Sequence, residues 1–297
     1  RSQTGTSYTS MKDLKNAIES KNINDIAAMA VIIRNRPELL DQVSDYTFSP
    51  TEPLEILDVL KQEISEEFPE IPEHSFVVKY VAPELKDILS PALYMVPPMD
   101  KYNENVIYLN MDQNNGITQY LYTTLAHEGY PGHLYQNAYT NSGDMPLIRS
   151  LMSYNGYSEG WATYVEFEYS YDYMGMSEGL ADVASTNTAL SLGLYAYADM
   201  GVHYDGWERE DLADYLAEFG IEGEDVVDDV FNALVEEPAN YLSYFVGYLQ
   251  FVELREIAQK ELGRHFDAVE FHKFLLETGP APFYIIEDYM EEWMKEQ

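Results

Sequence analysis

Residues 125–134 read Leu125-Ala126-His127-Glu128-Gly129-Tyr130-Pro131-Gly132-His133-Leu134, placing two imidazoles and a carboxylate close together. Neutral imidazole is a common zinc ligand, and a glutamate beside one such ligand can take a proton from a water that the metal polarises. In the His-Glu-x-x-His helix of metallopeptidases the histidines stand one turn apart and face the same ion. Here their spacing is six, which on an ideal helix leaves His133 about 120° around the axis from His127. Pro131-Gly132 offers a solution: proline disrupts a helix at a cost of roughly 3 kcal/mol, and glycine lets the backbone widen into a bulge. A structural zinc contributes on the order of 10 kcal/mol, enough to outweigh that distortion.

The chain contains no cysteine, so any metal must be held by His, Asp or Glu. Glu159, in Ser158-Glu159-Gly160-Trp161-Ala162, begins an apolar helical run after room for one turn and a return, and is the candidate third ligand. Glu128 then remains as general base, with water in the fourth position. The competing reading is a chance cluster of structural side chains. Hydrolysis also needs a donor to the oxyanion. His203 and Tyr244 are the candidates, against a helix-end cap for the histidine and simple packing for one tyrosine among 26. Arg255 is a candidate for binding a substrate carboxylate, with an ion pair as its alternative among so many acids. His74, His265 and His272 read as surface or structural residues.

Elements able to position these residues follow from the patterning. Residues 9–42 and 51–68 have helical apolar spacing, with Thr51-Glu52-Pro53 suggesting a cap and an early proline. Phe76–Val81, Ala92–Val96 and Asn105–Asn110 are β-rich runs that predict a small sheet. Its edge, at Tyr94–Pro98 or Val106–Asn110, could align an extended peptide, making Tyr94 a candidate substrate contact. Asn103-Glu104-Asn105 and Asn114-Asn115-Gly116 read as turns. Helices are expected over 118–139, 145–173, 178–203, 208–219, 223–236, 239–262, 267–278 and 282–296. The fold class is therefore α+β and predominantly α-helical. Residues 1–74 form an N-terminal helical region, and 75–297 a catalytic domain with its sheet at 75–110 and a helical bundle at 118–296.

The bulk numbers bound the function. With 297 residues, 46% of them apolar, the chain can bury a substantial core. A net charge of −35 opposes nucleic-acid binding and favours cationic or neutral substrates, though such a surface also serves solubility alone. The longest greasy stretch, Tyr241–Leu254, is broken by Ser243, Gly247 and Gln250, so no transmembrane segment is expected. The chain opens on Arg1 rather than methionine, which is compatible with processing or a proteolytic cut.

From His127 to Gln136, and again at Glu159-Gly160-Trp161-Ala162, the sequence closely resembles the bacterial family catalogued as domain of unknown function 885. Asp199–His203 before Trp207, Tyr244 with Gly247, Glu253-Leu254-Arg255-Glu256, Leu262-Gly263, and Phe271-His272 leading to Gly279 and Pro282 are similar too. Where the family tends to read Pro-Gly-Gln-Ala, this chain has Pro238-Ala239-Asn240-Tyr241, and Phe245 stands where lysine is common. The resemblance spans most of residues 50–295. It implies a mostly helical, gluzincin-like metallopeptidase fold in lipoproteins or exported proteins, with His127, His133 and Glu159 as zinc ligands and Glu128 as base. Members are usually longer, with another helical region ahead, so this chain is expected to be a C-terminal portion. The leading expectation is thus a zinc-dependent peptidase, exported or envelope-associated, acting on a peptide substrate. A catalytically inactive envelope module that grips peptide or glycan, and a metal-free structural domain, are the alternatives.

Overall fold

The β-rich runs after Ser75 form one three-stranded sheet in the order β1-β3-β2, from β1 (Ser75–Tyr80), β2 (Ala92–Met95) and β3 (Glu104–Leu109). β1 pairs parallel with β3, with Phe76 opposite Asn105, and β2 pairs antiparallel, with Tyr94 opposite Ile107. Alternation along β3 turns Asn105, Ile107 and Leu109 inward. β2 is an edge strand. In this computed structural model residues 36–86, 88–98, 101, 103–110, 118–143 and 145–297 are described. Residues 9–35 of the helical region expected over 9–42, and the turn at Asn114-Asn115-Gly116, lie outside those residues.

The helices are α1 (Glu38–Ser44), α2 (Pro53–Glu63), α3 (Thr118–Glu128), α4 (His133–Ser142), α5 (Asn155–Val165) and α6 (Glu178–Met200). They continue with α7 (Arg209–Ala217), α8 (Glu224–Glu236), α9 (Asn240–Leu262), α10 (Ala268–Thr278) and α11 (Phe283–Met294). The mostly helical chain with one small sheet agrees with the α+β expectation. Proline at the first position of α2 costs nothing, because that N–H has no intrahelical partner. Its cap residue is Glu52 rather than Thr51 and makes no side-chain cap bond. Ile56, Leu57, Leu60 and Ile64 place one buried stripe of this segment in the main core. Each such aliphatic side chain contributes about 1.5–3 kcal/mol. The same core holds Leu125, Ala126, Trp161 and Phe251, so α2 and the sheet support α3 directly. A second, smaller core joins Ala198, Leu212, Leu216, Val227 and Leu234 from α6, α7 and α8.

Three expected helices are divided or shortened. The segment 118–139 is two helices, α3 and α4, because Pro131 and Gly132 end one and let the next begin at His133. The expected bulge is therefore a full break. The segment 145–173 starts as a 3₁₀ turn at Leu147–Leu151, becomes α-helical only at Asn155, and passes through a π turn at Glu166–Ser170 into Tyr171–Tyr173. Another π turn, Gly201–Asp205, ends α6. Of the turn expected at 103–105, Asn103 alone is a turn, and Glu104 and Asn105 belong to β3. Among the described residues no helix is long and apolar enough to cross a membrane.

Candidate metal centre

One short break in regular structure brings the two histidines together. After α3 the chain turns through Gly129–Gly132, where the Tyr130–Pro131 peptide bond is cis. The Gly132 N–H donates to the Ala126 carbonyl at 3.0 Å, closing the loop back on α3. This close approach requires glycine: a Cβ on Gly132 would stand 1.7 Å from the His127 carbonyl oxygen. The loop is fixed from the other side by Trp161, fully buried, whose Nε1 donates to the Pro131 carbonyl at 2.9 Å. Trp161 lies two residues beyond Glu159 on α5, so one helix both delivers a carboxylate and clamps the loop that delivers the second histidine.

The α5 helix is seated by α9 at backbone contact. A Cβ on Gly160 would lie 2.5 Å from the Gly247 Cα, so only glycines allow this approach. The crossing sits next to Glu159 on one helix and three residues from Tyr244 on the other.

In the assembled cluster, His133 Nε2 is 3.3 Å and His127 Nε2 3.6 Å from Glu159 Oε2. One ligand atom from each of the three residues lies within 4.8 Å of the others. Tetrahedral zinc with bonds of about 2.0–2.1 Å needs ligand atoms roughly 3.3 Å apart, so the spacing fits with small adjustment. Glu159 Oε2 is buried and makes no well-formed hydrogen bond, so its charge must be met either by imidazolium at 3.3–3.6 Å or by a cation in the same place. Burial opposes charge on His127, but Glu159 and Glu166, with Glu128 nearby, overcome it and hold its pKa well above the usual value. Burial likewise opposes ionisation of Glu159, yet the two histidines pull its pKa well below the carboxylate range. His127 and Glu159 thus form an ion pair whose proton a bound metal ion would have to displace.

Glu128 points elsewhere. Its Oε2 accepts the Tyr94 backbone N–H from the outer edge of β2 at 2.7 Å, and burial is the main influence raising its pKa. The Tyr94 hydroxyl is held by the Asn105 side chain at 2.6 Å. Tyr244 stacks on His127, with ring centres 6.0 Å apart and 19° between planes. Burial, then the charges of Glu159 and Glu128, push its hydroxyl well above the ordinary tyrosine range, keeping it a donor.

The structure therefore brings His127, His133, Glu159, Glu128, Tyr94 and Tyr244 into one neighbourhood. It places two other expected residues differently. Arg255 pairs with Glu168 at 3.5 Å and lies over the Tyr169 ring, 5.3 Å from its centre, so its charge is met inside the helical packing. His203 directs Nε2 to the Leu234 carbonyl at 2.8 Å and stands 3.8 Å from Asp199, the structural alternative for this residue. His272 is fully buried, bonded through Nδ1 to the Glu67 carbonyl at 2.6 Å and through Nε2 to Tyr164 at 2.9 Å.

One residue of the site escapes the sequence reading. Glu166 Oε2 lies 2.9 Å from His127 Nδ1 and so fixes the ring with Nε2 toward the cluster. The available signal is spacing: Glu166 follows Glu159 by two helical turns in an otherwise apolar run, which puts both acids on one face.

The fold is mostly helical, with a His-His-Glu cluster that could hold a metal ion beside an edge strand. The chain belongs to the family described as bacterial protein of unknown function, domain of unknown function 885, whose model matches residues 6–290. Among solved structures it is similar to a protein from Colwellia psychrerythraea provisionally described as a lipoprotein, with a TM-score of 0.79 and 24% identity. That match covers 99% of this chain and 54% of the other. A protein from Shewanella oneidensis, provisionally described as a lipoprotein of unknown function, matches with a TM-score of 0.75 and 20% identity, over 94% of this chain and 56% of the other. This chain thus spans about half the length of these solved relatives. No curated protein matches it.

Proposed function

We propose that this chain hydrolyses peptide bonds at a zinc ion held by His127, His133 and Glu159, within a gluzincin-like architecture. The observation that carries this reading is the separation of roles among the acids. Glu159 turns its oxygen to the two histidines, whereas Glu128, adjacent in sequence to one of them, is held apart by the Tyr94 N–H at 2.7 Å. A purely structural metal site needs no such second carboxylate.

Bound zinc would supply Lewis-acid polarisation of water and of the scissile carbonyl. Glu128 accepts the proton of the attacking water and delivers it to the departing amine, and its burial-raised pKa suits both transfers. Tyr244, protonated and packed on His127, donates to the oxyanion. The outer edge of β2 aligns the peptide backbone. Descriptions of both solved relatives as lipoproteins support a place at the bacterial envelope.

Elemental analysis of purified protein should find about one zinc per chain, and Glu128→Gln should keep that metal while losing turnover of a mixed peptide pool. Undiminished turnover in Glu128→Gln, or protein that takes up no zinc, would overturn this function. Intact peptide recovered from tightly binding, zinc-loaded native protein would identify a binding module instead.

A further inference from the structure

A cleft of about 600 Å³ opens beside the cluster, running from His133 and Glu159 past Tyr94 and Val96 to Arg149. Its charge differs from that of the chain around it. Acids outnumber bases 52 to 17 in the sequence. Histidine aside, the formal charges among the described lining residues are those of Glu159 and Arg149 alone, and Glu159 Oε2 is turned to the histidines. Much of the remaining wall is amide and hydroxyl groups, such as Asn137, Asn155 and Ser158, with apolar Val96 and Met152. In a strongly acidic protein, the described residues of this wall include no carboxylate besides Glu159.

Arg149 is also fixed in place. Nη1 donates to the Thr278 carbonyl at 2.7 Å, and Nη2 to the Pro280 and Gly279 carbonyls at 2.6 and 3.3 Å. These acceptors are neutral, and among the described residues no carboxylate pairs with the guanidinium. These bonds use three of the five N–H donors that a guanidinium has.

The backbone beside it argues for a second anchor. On β2 the Tyr94 N–H is taken by Glu128, the next outward-facing donor is Val96, and Pro97 and Pro98 have no N–H. A peptide aligned along this edge finds few donors beyond Tyr94, so an anchor at the end of the cleft adds to its hold.

We propose, resting on the hydrolase reading above, that the cleft receives the carboxy-terminal end of a short peptide, with the terminal carboxylate on Arg149. This reverses, for the cleft, the preference for cationic or neutral substrates that the whole-chain charge suggests.

The test uses one dansylated tetrapeptide made as free acid and as C-terminal amide, titrated by fluorescence into zinc-loaded Glu128→Gln protein. The acid is expected to bind at least tenfold tighter than the amide, and Glu128→Gln/Arg149→Gln to lose that ratio. Equal binding of the two forms overturns the proposal, as does a ratio that survives loss of Arg149. Because Arg149 ties down residues 278–280, the double variant has a structural reason to misfold; the ratio in Glu128→Gln alone then decides. Turnover by the unaltered chain separates the two claims. Preferential binding without cleavage supports the cleft assignment and overturns hydrolysis, whereas cleavage without preference supports hydrolysis and overturns the cleft assignment.

Discussion

Replacing Glu166 tests the metal centre without reference to catalysis. Its Oε2 lies 2.9 Å from His127 Nδ1, in a side chain only 16% exposed, so the bond is sheltered and charge-assisted. It selects the tautomer with hydrogen on Nδ1, leaving the Nε2 lone pair toward His133 and Glu159. Glu166→Gln keeps the shape and removes the charge. The amide can then rotate and present its NH₂, which favours the tautomer with Nδ1 unprotonated and Nε2 blocked. Loss of such a supporting partner costs about 10–100-fold in metal affinity, or about 1.4–2.7 kcal/mol. Zinc affinity, measured by competition against a chromophoric chelator, should fall by that factor. Metal-free protein should also melt lower, because Glu166 helps hold the buried His127 charged, so the zinc affinity and not the melting temperature carries the test. An affinity within twofold of the native value would refute the argument. So would an equal loss from Glu168→Gln, whose carboxylate faces Arg255 and Tyr248 instead.

Three further outcomes follow from the packing and the buried histidine. Gly160→Ala places a methyl 2.5 Å from the Gly247 Cα, where only the helix backbones can yield, so thermal denaturation should show a loss of about 2 kcal/mol or more, with weaker zinc binding as Glu159 shifts. A melting temperature within 2 °C of native would count against this reading. Ala239, at φ 66° before α9, is in the left-handed region that costs a non-glycine residue about 1 kcal/mol, so Ala239→Gly should raise stability by roughly 0.5–1 kcal/mol in chemical denaturation. Burial holds His272 at a pKa of about 3, below its unfolded value of about 6.5, so unfolding takes up a proton between these limits and stability falls as pH falls. From pH 6.5, where the unfolded imidazole is half protonated, to pH 5 the loss is about 1.7 kcal/mol, and His272→Gln should flatten that part of the denaturation profile.

Local chemistry was legible wherever one residue type admitted one geometry. Three β-rich runs bounded by Pro, Asp and Asn gave the sheet within a residue at each end, and glycine at 239 in the family's pattern has its reason in the left-handed backbone of Ala239. The angular argument on His127 and His133 was misleading because it assumed one helix. Ligands from the end of α3 and the start of α4 are related by the loop between them, and that loop is set by contacts distant in sequence, chiefly Trp161 to Pro131. Arg255 and His203 stand apart from the cluster for a related reason. Each is a capable ligand group by type, but its environment is assembled by helix packing, which gave one Glu168 and the other the Leu234 carbonyl.

The most informative motifs gain a joint explanation from this geometry. His-Glu-x-x-Pro-Gly-His and Glu-Gly-Trp-Ala are two halves of one structure: Glu159 meets both histidines, Trp161 holds the Pro131 carbonyl, and Gly160 lets α5 approach Gly247 on the helix that carries Tyr244. A metal-free packing unit would need the tryptophan and glycines, but could meet this buried carboxylate oxygen only through a charged, buried imidazole, the oxygen making no hydrogen bond of its own. That residual cost, set in a frame of otherwise well-satisfied contacts, is why the cluster reads as a ligand site rather than as core.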